Sequence, residues 1–301
     1  MLESVTIVGV GLIGGSFSLA LKDKGLVRNV IGVGRSADSL NKALELGLID
    51  EVLPLEAAVK KSDLIYVAIP VDATVPVMRQ IMDLVTDKQI VADAGSTKKA
   101  LCESLAGHPM RSRFVATHPM WGTEYSGPEA AVHHAFEGRT CVICEKEKSD
   151  PAAVEVMEGL YRQMGMQMVY MDADAHDMHA AYISHISHIT SFALANTVLE
   201  KEKEDEAIFD LAGGGFESTV RLAKSNPAMW LPIFKQNRDH VLDVLNEHIA
   251  QLRKFKSCLE KENYDYLQEL MDNANKIRRI IKLGVWWRGA SRTDGVAGRA
   301  R

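Results

Sequence analysis

Cysteine is scarce. Four residues in 301 are too few for a disulfide framework, so a reducing compartment, the cytoplasm, is the expected setting. No run of about 18 or more apolar residues occurs, which argues against a transmembrane helix. The N-terminus lacks the basic-then-apolar order of a secretory signal. Positive charge is not in excess either: 35 Lys and Arg against 40 Asp and Glu leave a net charge of −5. That balance removes the electrostatic footprint of a nucleic-acid binder. No internal repeat or low-complexity array is present, and 47% hydrophobic with 25% charged residues excludes collagen-like, disordered and coiled-coil classes. What remains is a globular chain with room for two domains at ~100–200 residues each. At this length it can bury roughly three quarters of its unfolded surface without covalent or metal staples.

The first half of the chain alternates in type. Short β-branched or apolar runs occur at Ser4–Gly9, Val30–Val33, Asp63–Ile69, Gln89–Asp93, Phe114–Thr117, Arg139–Cys144 and Gln167–Tyr170. Helical spacing lies between several of them, at Leu12–Lys24, from Ser36 or Asp38 to Leu46, at Val71–Val85 and at Pro151–Met164. This order predicts an α/β fold, a doubly wound parallel sheet with right-handed crossovers. After Asp172 strand-like runs disappear and helical patterning extends to about Ile281, broken at Ala212–Gly215 and Asn226–Pro227. The expected organisation is therefore a sheet domain over 1–171, an all-α domain over 172–282 and a flexible basic tail over 283–301. The tail holds four Arg and one Asp and shows no periodicity.

Gly9-Val10-Gly11-Leu12-Ile13-Gly14 is G-x-G-x-x-G placed between the first strand and its helix. There the first glycine permits the tight turn, the second lets a pyrophosphate approach the backbone, and the third lets helix and strand pack closely. Residues Gly9, Gly11, Leu12, Ile13 and Gly14 are thus candidate dinucleotide contacts at a helix N-terminus. An NAD-preferring site would carry an acid at the end of the second strand. Gly34 stands there, followed by Arg35 and Ser36, a guanidinium and a hydroxyl suited to a 2′-phosphate. NADP is favoured over NAD on this reading.

Two segments that follow strands, Asp93–Lys98 and Thr117–Glu124, are expected at the carboxyl edge of the sheet, where ligands bind. His118, with an ordinary pKa near ~6.5, could accept a hydroxyl proton there; the competing reading is a turn histidine bonded to backbone. On the first helix of the second half, His176-x-x-His179 and His185-x-x-His188 raise a metal site, but the glutamate of a zinc hydrolase is absent and no metal is expected. Cys141-x-x-Cys144 lies on a strand, where its side chains point to opposite faces, and reads as core, as do Met164, Met166, Met168 and Met171. Gly213–Phe216 followed by Arg221 and Lys224 offers a cationic face for a carboxylate, or simply a solvated one.

Taken together these residues resemble the prephenate/arogenate dehydrogenase family of tyrosine biosynthesis, over about residues 4–282. The resemblance rests on the glycine fingerprint, Gly95-Ser96-x-Lys98, His118-Pro119-x-x-Gly122-x-Glu124-x-Ser126-Gly127, His176-Asp177, Ser184-His185-x-x-His188, and Gly214-Gly215-Phe216 followed by Arg221-x-Ala223-Lys224-Ser225-x-Pro227-x-x-Trp230. It departs from the family at the missing ribose-binding acid and at Ile186-Ser187, where the family commonly has Leu-Pro.

The resemblance implies a Rossmann-type domain followed by an all-α dimerisation domain, hence a homodimer. It also implies an NAD(P)-dependent oxidative decarboxylation of prephenate to 4-hydroxyphenylpyruvate. It assigns the hydroxyl proton to His118, with Ser96 bonding the same hydroxyl or holding the imidazole. Arg221 becomes the partner of the ring carboxylate. His188, with His185 and Ser184, becomes the contact for the side-chain end, Glu124 orients or gates the site, and Trp230 belongs to the substrate pocket. Arogenate is the alternative substrate. A dinucleotide-sensing protein without catalysis is a further alternative that would have no need of His118, Ser96 and Arg221 together.

Overall fold

The computed structural model describes residues 1–203 and 206–281, with the backbone alone at 206 and 281; the tail expected over 283–301 lies outside the described residues. Eight strands form one sheet: β1 (Leu2–Val8), β2 (Val27–Val33), β3 (Glu51–Val52), β4 (Leu64–Val67), β5 (Ile90–Asp93), β6 (Phe114–Pro119), β7 (Thr140–Cys144) and β8 (Gln167–Met171). Their spatial order is β3-β2-β1-β4-β5-β6-β7-β8, and β1 to β6 pair in parallel. The first six strands follow the doubly wound dinucleotide-binding order, whose crevice opens where the winding reverses between β1 and β4.

The all-parallel expectation needs one correction. β7 runs antiparallel to β6, with Thr117 opposite Ile143, and β8 is parallel to β7. Between β6 and β7 the described residues hold no α-helix, only one 3-10 turn at Pro128–Ala130. An antiparallel neighbour can follow a short connection, whereas a parallel one needs a long crossover.

The helices between strands are α1 (Leu12–Asp23), α2 (Ala37–Glu45), α3 (Leu55–Lys61), α4 (Val71–Leu84), α5 (Lys99–Leu105) and α6 (Pro151–Gln163). The short elements β3, α3 and α5 escape periodicity because two to seven residues complete too few repeats to read. Burial on both faces is explicit along β4. Leu64 and Tyr66 enter one core with Phe17 and Tyr161, while Ile65 and Val67 enter the other with Met78 and Ile81. Cys141 and Cys144 divide between the same two cores, as their odd spacing on a strand requires.

Beyond β8 the described residues contain no strand. α7 (Ala173–Ala180) begins at Asp172, whose side chain accepts from the Ala175 N–H. It passes through a π-helical turn, Ala181–His185, into α8 (Ile186–Glu202). α9 (Gly214–Val220), α10 (Pro227–Gln236), α11 (Arg238–Glu260), α12 (Tyr264–Asn275) and α13 (Ile277–Ile281) follow. The chain divides into two compact units, Met1–Val244 and the segment from Leu245 onward. The first includes α7 to α10, of which α7 packs on α5 and β7 and α10 packs on α4. Gln236 bonds the Val71 carbonyl and Thr97, and Trp230 and Ile233 bury against Val71. No helix among the described residues is long and apolar enough to cross a membrane.

Candidate active site

The loop between β1 and α1 forms the phosphate cradle the fingerprint predicts. Gly9 adopts φ +94°, and a Cβ there would lie 2.5 Å from the Ala68 carbonyl oxygen. A Cβ on Gly14 would lie 2.2 Å from the Gly9 oxygen, so both positions require glycine. Gly11 differs: nothing lies within 4 Å of its would-be Cβ. It is the N-cap of α1 yet supplies no side-chain cap. The first N–H groups of α1, at Leu12, Ile13 and Gly14, have no intrahelical partners, and with the open space beside Gly11 they offer a fitting seat for a pyrophosphate.

At the end of β2, Gly34 and Arg35 are exposed, and Arg35 makes no hydrogen bond or ion pair among the described residues. Ser36 caps α2, its hydroxyl oxygen accepting from the Ser39 N–H, so only its O–H remains to donate to a ligand.

His118 lies within β6, paired with Val142, rather than in the loop after the strand as expected. The antiparallel pairing with β7 extends β6 two residues further than its apolar run indicates. This also sets aside the turn-histidine reading, since the ring's partner is a side chain: Nδ1 lies 2.8 Å from His176 Nε2. His176 Nδ1 in turn lies 2.7 Å from Asp177 Oδ1. Both Asp177 oxygens also accept backbone N–H groups, from Lys98 at 2.7 Å and Lys99 at 3.0 Å. Asp177 thus provides the N-terminal cap that α5 lacks in its own sequence.

Beneath these residues Lys98 is fully buried. Its ammonium binds Asp93 and the Thr117 carbonyl, anchoring the start of α5 to the strand that carries His118. Burial first, then neighbouring His176, Lys98 and His185, hold the His118 pKa well below the usual histidine value, so the ring is neutral at pH 7. Ser96, half-buried on the adjoining loop, makes no hydrogen bond among the described residues; the imidazole is held by His176 instead.

The helical elements bring the remaining candidates together. Asn237 donates to the Asp177 carbonyl and to His185 Nδ1. His185 is 1% exposed, edge-on to Trp230, and burial lowers its pKa to about 4. His188 stacks on Trp230 with ring centroids 3.5 Å apart. Its Nδ1 donates to the Ser184 carbonyl, and burial, outweighing that bond, pulls its pKa down. Arg221, half-exposed, stands 3.5 Å from Glu124.

An unbroken series of contacts therefore runs from His118 through His176, Asp177, Asn237, His185 and Trp230 to His188. His176 points inward while His179 is exposed. Among the described residues no group of three His, Cys, Asp or Glu side chains is arranged to hold a metal ion. Sequence reading assigned no role to His176-Asp177 and did not single out Asn237. The first pair had a signal in its motif; Asn237 had none, because its partners are far away in sequence.

Residues 17–170 match the family model described as "Prephenate dehydrogenase, nucleotide-binding domain", and residues 172–273 match "Prephenate dehydrogenase, dimerization domain". Prephenate dehydrogenase of Bacillus subtilis is 31% identical, over 94% of this chain and 77% of the relative. Cyclohexadienyl dehydrogenase of Zymomonas mobilis is 28% identical, over 93% of this chain and 96% of the relative. Among solved structures, prephenate dehydrogenase from Aquifex aeolicus, in complex with hydroxyphenyl propionate and NAD+, superposes with a TM-score of 0.84 at 29% identity, covering 93% of this chain and 99% of that one. Synechocystis arogenate dehydrogenase superposes with a TM-score of 0.76 at 25% identity, covering 93% and 100%.

Proposed function

The chain belongs to the prephenate dehydrogenase family, and on that premise we propose that it catalyses the NAD(P)-dependent oxidative decarboxylation of prephenate to 4-hydroxyphenylpyruvate, in the cytoplasm, as a step of tyrosine synthesis. The observation that carries this reading is His118. It is a neutral imidazole at the carboxyl end of the sheet, buttressed from behind by His176 and on the same edge as the glycine cradle. Domains at 1–171 for the dinucleotide and 172–282 for substrate and dimerisation complete the proposal.

A bound nicotinamide supplies the acceptor for the hydride that leaves the hydroxyl-bearing ring carbon. The protein's part is to manage a proton and two anions. His118 takes the hydroxyl proton, and Ser96, whose hydroxyl is uncommitted, hydrogen-bonds the same oxygen. Loss of CO2 then returns an electron pair to the ring, which becomes aromatic. Arg221 holds the departing carboxylate, exchanging its contact with Glu124 for the substrate. That contact is long at 3.5 Å and half-exposed, so exchanging it costs little. A grip on the carboxylate tighter in the ground state than in the transition state would slow the reaction. His188 meets the side-chain end, its orientation set by the Ser184 carbonyl and the Trp230 face. His185 is buried behind that pair and supports it.

Arogenate is the second reading, supported by the likeness to an arogenate dehydrogenase structure; it differs from prephenate only at the side-chain end that faces His188. Steady-state kinetics with prephenate and arogenate, each with NAD and NADP, tests all of this. The expected result is a higher kcat/KM with prephenate than with arogenate, and with NADP than with NAD. No turnover of either substrate would overturn the proposal.

For the dimer, the support is a stripe on α11. Leu242, Leu245, Ile249, Leu252 and Leu259 recur at helical spacing, with Leu242, Leu252 and Leu259 at least 40% exposed. Such a stripe suits a second copy.

A further inference from the structure

Asp177 and His176 are not accounted for by substrate or cofactor binding, yet they occupy buried space directly behind His118. We propose that they form a positioning dyad that fixes the tautomer of His118, so that Nδ1 carries the hydrogen and Nε2 is the base. The inference rests on the reading of His118 as the proton acceptor.

The argument is one of donors and acceptors. Asp177 is 2% exposed and accepts two backbone N–H groups, one on each oxygen. With both oxygens taken as acceptors, this carboxylate can only accept. The hydrogen in the 2.7 Å contact between Asp177 Oδ1 and His176 Nδ1 therefore belongs to His176 Nδ1. In a neutral imidazole the other nitrogen is then an acceptor. His176 Nε2, 2.8 Å from His118 Nδ1, must receive its hydrogen from His118. With its single hydrogen committed at Nδ1, neutral His118 presents a bare lone pair at Nε2. The opposite arrangement would need a second proton on His176, itself 2% exposed.

The dyad also matters after proton transfer. When the substrate O–H bond breaks and the hydrogen bonds to Nε2, His118 becomes an imidazolium whose Nδ1–H still points at His176 Nε2. Asp177, by polarising His176, makes that acceptor stronger at the moment charge appears. Neither residue touches substrate, so both are positioning residues. Because Asp177 simultaneously caps α5, the Gly95–Lys98 loop bearing Ser96 and the ring of His118 are referenced to one carboxylate.

Asp177→Asn is the discriminating variant. Its amide oxygen can still accept the Lys99 N–H, while its NH2 group, standing where Oδ1 was, would donate to His176 Nδ1 and give up the bond from the Lys98 N–H. That would push the His176 hydrogen to Nε2 and the His118 hydrogen to Nε2, the wrong end. We expect kcat to fall about 10²–10⁴-fold, the range of a lost general base, with dinucleotide affinity near that of the unmodified protein and a modestly lower Tm from the lost Lys98 N–H bond. Nitrogen-15 NMR of histidine-labelled protein, with the His118 signals assigned by their loss in His118→Asn, should report an Nδ1–H tautomer in the unmodified protein and an Nε2–H tautomer in Asp177→Asn. His176→Leu, which removes the acceptor, should be as impaired in kcat, and His176→Gln, whose amide oxygen can accept from His118, should recover at least tenfold. These last variants and the unmodified spectrum decide the matter if Asp177→Asn does not fold. An Nε2–H tautomer in the unmodified protein, a folded Asp177→Asn within threefold of normal kcat, or His176→Gln no better than His176→Leu would overturn the dyad. A near-normal kcat in His118→Asn would instead overturn the base assignment beneath it.

Discussion

His118 illustrates how one residue's environment sets its chemistry. Burial first, then the neighbouring His176, Lys98 and His185, push its pKa down, so its proton is lost early as pH rises. A base is active when unprotonated. Activity should therefore persist as pH falls through ~6.5, the ordinary histidine value, and disappear only at lower pH. The acid limb of a kcat/KM profile measures this, and a limb above that value would contradict it. His118→Asn should lower kcat ~10²–10⁴-fold while leaving dinucleotide affinity unchanged by fluorescence titration. Cofactor choice also belongs to single residues. Arg35 is exposed and uncommitted, and a charge-assisted bond to a 2′-phosphate contributes ~1.5–3 kcal/mol, roughly 10–150-fold in affinity. Arg35→Ala should erode NADP preference by that factor and barely touch NAD. Gly34→Asp should reverse it, and the position has room, since a Cβ would meet only Leu40 at 3.4 Å. Equal kcat/KM with the two cofactors in the unmodified enzyme would sink the NADP reading.

At the scale of elements, the turn entering α1 separates two uses of glycine. Gly14→Ala drives a Cβ into the Gly9 carbonyl oxygen at 2.2 Å, so strand and helix must part. The expected outcome is a lower Tm together with lost cofactor binding. Gly11→Ala meets no protein atom within 4 Å and should leave Tm unchanged while raising the dinucleotide Kd at least tenfold. Thermal melts with and without cofactor distinguish the two. The π-helical turn at Ala181–His185 is the other element with a functional signature. Such turns insert one residue into a helix and are frequent at functional sites. Here it directs His185 inward to Asn237 while His188, three residues on, reaches the face of Trp230. Helical periodicity shows a helix through this region but not the extra residue, because one insertion only shifts the phase of a pattern already blurred by buried polar side chains.

For the whole molecule, two measurements bear on assembly and stability. The α11 stripe predicts a dimer in solution, and Leu252→Asp with Leu259→Asp, seven residues apart on one face, should yield monomers by analytical ultracentrifugation; a monomeric unmodified protein would contradict it. Stability should depend on His185. Burial lowers its pKa to about 4, so the folded protein keeps it neutral where the unfolded chain, at ~6.5, already binds a proton. The sign follows: above pH ~6.5 it has no effect, and stability falls as pH drops from there towards about 4. The difference amounts to on the order of 3 kcal/mol at ~1.4 kcal/mol per pH unit. His185→Phe should flatten the pH dependence of Tm over that window relative to the unmodified protein, and an unchanged slope would show that the buried ring is not the cause.

Sequence alone determined the features that local chemistry dictates. A G-x-G-x-x-G between strand and helix can hardly be built otherwise, since only glycine tolerates φ +94° at Gly9 beside the Ala68 carbonyl. Apolar runs with two buried faces required a covered sheet, and the boundaries of α1, α2, α4 and α6 followed from period, with Ser36 as the cap of α2. Tertiary structure alone decided what depends on residues meeting from afar. The reversed direction of β7, the placing of His118 within β6, and the commitment of its ring to His176 rather than Ser96 leave no local mark. Asn237 lies 60 residues from the Asp177 carbonyl it bonds, and Asp177 lies 79 residues from the Lys98 N–H it caps. A hydrogen bond is specified by geometry over a few ångströms, and at such separations in sequence only the folded backbone supplies that geometry.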